Sequence, residues 1–546
     1  ASQRGNGDFG PKNDNWWANK IALHFVRDWG EAAGDPRVVP FLMNYFRYQY
    51  LRLREYPLSK DSFWAVARGG DNLEVVIWLY RRTQNQMLAT LAGMLCDQSS
   101  DWGTFYRDGG CGDLSCDGYR MHIVNFMQGL KQPPLKWLVR HEENDVSDYR
   151  SYAAAFSPDG WAMRQHGRVD RMLNGTEPLS GREACQGTEL CAVAERILSC
   201  RDVIAAAGWF SGCGLGMADD MESVAYNTLP SQLADDGKGL RYYTLLNQPA
   251  CGMGMKLGFE NNPDGNAFTP GPDSGYGCCR SNFHFAWPKF VQSMWFEGGF
   301  HLSGGLVAAA YGPCVVSNKL AVIEEAGDYP FGDTVTMKFL KTDGKEWPLH
   351  FRIPRWCEQK NVVVKLNGQD FEAKRTFIRR VWKEGDSLEF TFPGKLVVEK
   401  GVYDSVAIRR GALVYALKMD ADIKTLETKS TRDGFPVREY TPKGPWNYAL
   451  KLKNEKTIEA RYVAPTDLSG NVFAHGRETS ALKVKAYRTD YAGWGTHRPS
   501  EHFNGRAIEP PPSPVDPAKR SQVAEDITLI PMGATQIRIT LFPWSK

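Results

Sequence analysis

The 546-residue chain is short of several things, and each shortage removes a class of function. No stretch of about 18 apolar residues exists, so no segment has the character of a membrane-spanning helix. An excess of one charge is missing too. The 66 Lys and Arg face 63 Asp and Glu, a net charge of +3, and no basic run is present to hold a nucleic-acid backbone. Cysteine, at 12 residues, is too sparse for a disulfide scaffold. No fixed period recurs, which argues against a repeat solenoid. The opening "ASQRGNGDFGPKNDNWW" lacks the apolar core of a signal peptide. A mature secreted chain would have shed one, and secretion or a periplasmic location is the expectation.

Aromatic residues, by contrast, are plentiful: 12 % of the chain, with 17 Trp. Such rings fill a large core, and some can stack on sugar faces. Up to about residue 298 the pattern is helical and comes in pairs. "NWWANKIALHFVRDWGEAAG" ends at Gly34, and "DPRVVPFLMNYFRYQYLRL" follows with Asp35 as N-cap and Pro36 at the first helical position. Further helices are expected over "DNLEVVIWLYRRT", "NQMLATLAGMLCDQ", "GYRMHIVNFMQGLKQPPLKWL", "VSDYRSYAAAF", "GTELCAVAERILSC", "MADDMESVAYNTLPSQL" and "NFHFAWPKFVQSMWF". Short β-rich runs follow, among them "NVVVKLNGQDF", where Asn367-Gly368 signals a hairpin. The expected fold is α + β and multidomain: a paired-helix barrel over 1–298, a β-sandwich over 299–440, and a second β-rich region over 441–546. Fewer helices are readable than a six-hairpin barrel needs, which leaves its first hairpin unaccounted for.

Cys278 and Cys279 stand side by side in "SGYGCCRSNFHFAWPKF". A disulfide between neighbours needs a strained turn, since their Cα atoms are only about 3.8 Å apart. Two free thiols invite oxidation. The pair lies between a glycine-rich loop and a helix, where unpaired amides favour thiolate, and a metal would favour it further. "QGTELCAVAE" supplies Glu189 and Cys191 at another expected helix start. Glu189, Cys191, Cys278 and Cys279 form a set of three sulfurs and one carboxylate that suits tetrahedral Zn2+. Neither Cys-Cys nor Glu-x-Cys is a standard zinc spacing, and two unrelated buried cysteine clusters would read the same way. Cys111 and Cys116 in "CGDLSC" fit either a small disulfide loop or two free thiols.

"QGTELCAVAE", "GCCRSNFHFAWPKF" and the helix-then-sandwich order together resemble glycoside hydrolase family 127, the β-L-arabinofuranosidase family, over most of the chain. The resemblance implies an (α/α)6-barrel followed by β-sandwich domains, with one Zn2+ held by Glu189, Cys191, Cys278 and Cys279. It makes Cys278 the nucleophile. It also implies a glutamate acid/base shortly before the Glu-x-Cys motif. Of Glu177 and Glu183, Glu177 follows a glycine turn much as the family's residue does. One carboxyl group must protonate the leaving oxygen and then activate water, and Glu177 takes that role. His122 and His166 match substrate-binding positions, and Tyr242, Tyr243 and Asn247 lie between the motifs, Tyr242 being the candidate substrate contact. The chain departs from the family at Asn72 in "RGGDNLEV", where well-known members carry the histidine of a Gly-His-Leu motif.

The family's substrates include β-L-arabinofuranosides and aceric acid, a branched acid sugar of rhamnogalacturonan II. The departure at Asn72 makes the second kind credible, and Arg68 and Arg168 are candidate partners for its carboxylate. The implied activity is retaining exo-hydrolysis of a terminal furanosyl residue from plant cell-wall glycan, through a thioglycosyl intermediate on Cys278. Two other classes keep part of the pattern. A non-catalytic glycan-binding protein would use zinc as a structural clip, and a thiol redox protein would form a reducible Cys278–Cys279 disulfide.

Overall fold

A computed structural model describes residues 3–10, 14–107, 122–141, 188–207, 212–254, 265–299, 304–372, 375–494 and 508–546. The chain divides into two compact units, Ala1–Ala162 with Asp202–Cys213, and Met163–Arg201 with Gly214–Lys546.

The first unit is helical, with its longest described helices at Trp16–Ala33, Val38–Arg52, Gly69–Thr83 and Gln86–Gln98. Apolar residues recurring every three or four positions turn inward. Leu23, Leu42, Phe46, Val76, Leu88 and Leu91 are fully buried in one core. Each such side chain contributes about 1.5–3 kcal/mol of burial free energy. The first helix starts where Asn15 accepts from the Ala18 amide and ends at Gly34, whose left-handed backbone returns its N–H to the Gly30 carbonyl.

Several helix boundaries differ from those expected, among them the helix expected over "NFHFAWPKFVQSMWF", which runs from Gly277 to Gln292 and gives way to a strand at Trp295–Glu297. The second helix opens at Val38 rather than Pro36, because Asp35 spends its carboxylate on the Arg37 amide at 2.9 Å, in a turn just before the helix. The run expected around 118–138 is two helices, Ile123–Gly129 and Gln132–Arg140. Pro133 and Pro134 lack amide hydrogens and fit only a first turn. The segment Gly212–Ser223 passes into a π-turn at Val224–Thr228, with the Leu229 amide reaching back to Val224. Pro230 follows at once and cannot continue an ordinary ladder. The stretch "VSDYRSYAAAF" lies outside the described residues.

From Trp295 onward the second unit is a succession of strands. A six-stranded sheet and a four-stranded sheet face each other across Phe351–Phe390 and Phe339–Trp347 ring contacts, which makes them a sandwich. Alternation explains the faces: along Thr334–Thr342, Val335, Met337 and Phe339 point inward and their neighbours outward. Asn367 and Gly368 both take positive φ, 53° and 78°, in the turn joining Val363–Leu366 to Gln369–Asp370, as the Asn-Gly signal requires. A nine-stranded sheet occupies the C-terminal part. The order, helices first and strands after, is that of an (α/α)-barrel followed by β domains.

Candidate metal centre and active site

Two local structures bring the four candidate ligands together, both within the second unit. The first is a two-residue strand, Thr188–Glu189, paired antiparallel with Tyr243–Thr244. Glu189 therefore closes a strand instead of opening a helix. The helix Leu190–Ala207 starts immediately after it, with the Leu190 amide bonded to the Tyr242 carbonyl at 3.0 Å. Gln232 clamps the Thr188 carbonyl at 2.8 Å. This abrupt strand-to-helix change is what aims Glu189 and Cys191, two residues apart, at one point.

The second is the loop before the helix Gly277–Gln292. Asn266 ties it at both ends, donating to the Asp273 carbonyl and accepting from the Gly275 amide. The Ser274 hydroxyl accepts from the Tyr242 amide at 3.0 Å. Gly275 is needed here twice over: its φ is +59°, and a Cβ would sit 2.3 Å from the Tyr242 ring. The helix then begins at Gly277, so Cys278 and Cys279 occupy its first turn, where backbone amides are free to favour negative charge.

One ligand atom from each of Glu189, Cys191, Cys278 and Cys279 lies within 4.8 Å of all the others. Cys191 and Cys279 sulfurs are 3.3 Å apart, and Glu189 Oε1 is 3.9 Å from the Cys278 sulfur and 4.0 Å from that of Cys279. The edges of a tetrahedral zinc site with bonds of about 2.1 to 2.3 Å are about 3.6 to 3.8 Å, so the cluster has the right size as well as the right donors. Three sulfurs with one carboxylate select a soft, tetrahedral divalent ion over calcium or magnesium. All three thiols are free; Cys191 and Cys279 are buried, whereas Cys278 is exposed.

The thiols are unequal electrostatically as well. Cys278 is pulled down to about 3, first because the Cys191 thiol hydrogen-bonds to it and then because that of Cys279 does, with the Tyr242 side chain adding a further bond. Burial pushes Cys191 and Cys279 the other way. Burial also raises the Tyr242 phenol, which keeps it a donor. The Tyr242 ring packs edge-on against Tyr243 and Tyr276 at 4.7 and 5.6 Å, so its hydroxyl is held in place.

Asn247 is structural: its Oδ1 accepts from the Thr540 and Leu541 amides and its Nδ2 reaches the Leu541 carbonyl. Arg68, Asn72 and His122 all belong to the first unit. There Arg68 bonds Asn125, and His122 sets its ring edge-on to Trp64 at 5.8 Å. Glu177, His166, Arg168, Cys111 and Cys116 lie outside the described residues. The reading from sequence missed Gln232, Asn266 and Ser274. Their work is to bond loop backbone across long sequence separations, and a buried Gln or Asn carries no local signature of that.

Residues 305–394 match the family described as "Beta-L-arabinofuranosidase, GH127 middle domain". No curated protein matches the chain. A solved structure titled "Glycoside hydrolase" is similar to the whole chain at 16 % identity and a TM-score of 0.68, covering 100 % of this chain and 86 % of that one. A GH127 β-L-arabinofuranosidase from Geobacillus stearothermophilus T6 follows at 16 % and 0.62, covering 97 % and 82 %. A further GH127 β-arabinofuranosidase gives 14 % and 0.55, covering 98 % and 90 %. At these identities the likeness is one of fold, and it falls on the same family as the motifs.

Proposed function

We propose that this chain, which carries the middle domain of glycoside hydrolase family 127 and shares the fold of that family's solved members, is a retaining exo-glycosidase with Cys278 as its nucleophile. The observation that carries the reading is the Glu189, Cys191, Cys278, Cys279 cluster with one exposed sulfur in it. Zinc held by these four side chains would keep the thiols ionised at neutral pH.

The chain's own residues do the rest. Cys278 is the one sulfur of the cluster that a substrate can reach. The first-turn amides of the helix Gly277–Gln292 and the Tyr242 hydroxyl stabilise its negative charge. Its thiolate attacks the anomeric carbon while Glu177 protonates the departing oxygen, giving a thioglycosyl enzyme. Glu177 then takes a proton from water, which attacks the same carbon and restores the thiolate. Two displacements at one carbon leave its configuration unchanged.

The substrate in this reading is a terminal furanosyl residue, β-L-arabinofuranose or a related sugar such as aceric acid, on pectin, rhamnogalacturonan II or an arabinoglycan. His122, His166, Asn72, Arg68 and Tyr242 are its proposed contacts. Residues 1–298 would form the catalytic barrel, 299–440 the sandwich and 441–546 a second β-rich region, in a secreted or periplasmic protein. Among the described residues, no helix is long and apolar enough to cross a membrane.

The test is Glu177→Gln given a nitrophenyl furanoside, whose leaving group needs no acid. A single sugar mass on Cys278, read by intact-protein and peptide mass spectrometry, is the expected result. The mass on any other residue would overturn the cysteine mechanism.

A further inference from the structure

The approach to the cysteine cluster is furnished in ways that the helix Gly277–Gln292 does not itself need. Tyr276 occupies its N-cap position and makes no capping hydrogen bond, where Ser, Thr, Asp or Asn would close the first turn. The Tyr276 ring is 42 % exposed and stands edge-on to that of Tyr242 at 5.6 Å. Tyr242 is itself only 4 % exposed and bonds Cys278, so Tyr276 lies on its outward side. Gly277 comes next. Its backbone is not left-handed, so nothing in its conformation demands glycine, and alanine would suit a helix better. A Cβ there would meet one group among the described residues, an Arg280 amino nitrogen at 3.7 Å. The backbone between Tyr276 and Cys278 is therefore bare, open ground.

The far side of that ground is held from a distance. Arg280 is exposed, and its guanidinium pairs with Asp273. A lone surface pair of this kind adds little to stability. This one is anchored, because the other oxygen of Asp273 accepts from the Ser430 hydroxyl at 2.8 Å. Ser430 lies at the tip of a hairpin formed by Ala421–Leu426 and Val437–Pro442. The same hairpin donates from the Arg438 amide to the Pro270 carbonyl at 3.0 Å, and Tyr440 exchanges backbone bonds with Cys251 at 2.9 and 3.0 Å. Glu439 accepts from the Met253 amide at 2.9 Å. The hairpin thus straps the chain that leads to Cys278, and it fixes Asp273 and, through it, Arg280.

We infer that Tyr276, Gly277 and Arg280 seat the sugar on the leaving side of the scissile bond, the residue that departs when Cys278 attacks. A flat ring with a polar edge suits one face of a sugar. The Arg280–Asp273 pair offers that sugar's hydroxyls both donors and an acceptor. Gly277 lets it come close to the backbone. The leaving side is the one that fits, because the departing residue of an exo-enzyme carries the rest of the glycan and must point to solvent. Tyr242 and the buried sulfurs lie behind. A helix start that met only water would gain from a capping side chain and from alanine, and here it has neither. Ser430 acts through Asp273 as a positioning residue. This inference rests on the glycosidase reading and adds where the remainder of the glycan sits.

The test uses the full chain and two thioglycosides that resist hydrolysis. Both carry the same β-L-arabinofuranosyl group; one bears a methyl group on the sulfur and the other a second arabinose. Each is titrated as a protectant of Cys278 against iodoacetamide, read by peptide mass spectrometry. The disaccharide should protect at about a tenfold lower concentration than the methyl compound. Tyr276→Ala and Gly277→Val should erase that advantage, Arg280→Gln and Ser430→Ala should weaken it, and Tyr276→Phe should keep it. Taking the ratio of the two probes within one variant cancels any change in the reactivity of Cys278 itself. Equal protection by both probes, protection by neither, or an advantage that survives in both Tyr276→Ala and Gly277→Val overturns the inference. Hydrolysis of a nitrophenyl furanoside without the disaccharide advantage sinks only this inference, and the advantage in a chain with no hydrolytic activity sinks only the glycosidase.

Discussion

Two helix starts, one in each unit, collect polar side chains in places where a folded interior usually avoids them. They differ in what those side chains face. At Gly277–Gln292 three sulfurs and a carboxylate converge, every ligand atom within 4.8 Å of the others. At Gly69–Thr83 the Asn72 amide has no hydrogen-bond partner among the described residues, and the nearby Arg68 bonds Asn125 instead. Groups that converge repel unless a point charge joins them. A buried amide left alone is a cost that the fold carries. The first pattern calls for an ion, and the second marks a place where stability was given up.

The largest expected effect lies at the first helix start. Cys278→Ser replaces the exposed thiolate with a hydroxyl of far higher pKa, and kcat/KM on a nitrophenyl furanoside should fall by roughly a thousandfold or more. Near-normal turnover in that variant would remove Cys278 from the chemistry. Next comes Cys191→Ala, which deletes a buried ligand and opens a cavity. Zinc content by elemental analysis should fall from about one per chain, and stability should drop by roughly 2–4 kcal/mol. Full zinc occupancy with an unchanged melting curve would show that the four side chains do not form one site.

pH separates the two units more gently. Burial pushes Glu325 of the second unit up to about 8 from 4.5. The native protein then holds a proton that the unfolded chain has released, so stability falls as pH rises through that window. Glu325→Gln should flatten the fall, by no more than about 1.4 kcal/mol per pH unit. Burial of His24 in the first unit pulls it down to about 4 from 6.5. There the unfolded chain takes up a proton that the native state refuses, and stability falls as pH drops through that window. Thermal unfolding between pH 4 and 9 reads both, and an unaltered slope in Glu325→Gln above pH 6.5 would refute the first assignment.

The smallest effect has the opposite sign. Asn72→Leu removes an unmet buried amide at similar volume, so the ligand-free protein should become more stable by about 1 kcal/mol. A loss of stability by chemical denaturation would mean that the amide is satisfied after all.

How much of this the sequence discloses depends on the range of each interaction. Cys278-Cys279 and Glu189-x-Cys191 are short and chemically unusual, so they stand out without any structure. Helix caps such as Asn15 and Gly34, and the Asn367-Gly368 turn, act over a few residues and are equally visible. Asp35 deceives by two positions, since a carboxylate that can cap a helix can also close a turn. What brings Glu189 within 4.0 Å of Cys279 is hidden: a two-residue strand pairing, a glutamine clamp and a serine bonded to a distant amide. Each joins backbone groups tens of residues apart. The idle hydrogen-bonding atoms of Asn72 are hidden for a related reason, because a missing partner shows only once the surroundings are in place.

The uneven exposure of the three clustered thiols also gives the protein a chemical address. Of the eight cysteines whose burial the structure describes, Cys278 alone is exposed; Cys96, Cys191, Cys200, Cys251, Cys279 and Cys357 are buried, and Cys314 is intermediate. An electrophile carried on a sugar-like scaffold would meet one ionisable sulfur at the mouth of the cluster and none behind it. One alkyl group on Cys278, located by peptide mass spectrometry, would mark a competent centre, so that the labelled fraction of that peptide becomes a count of intact centres.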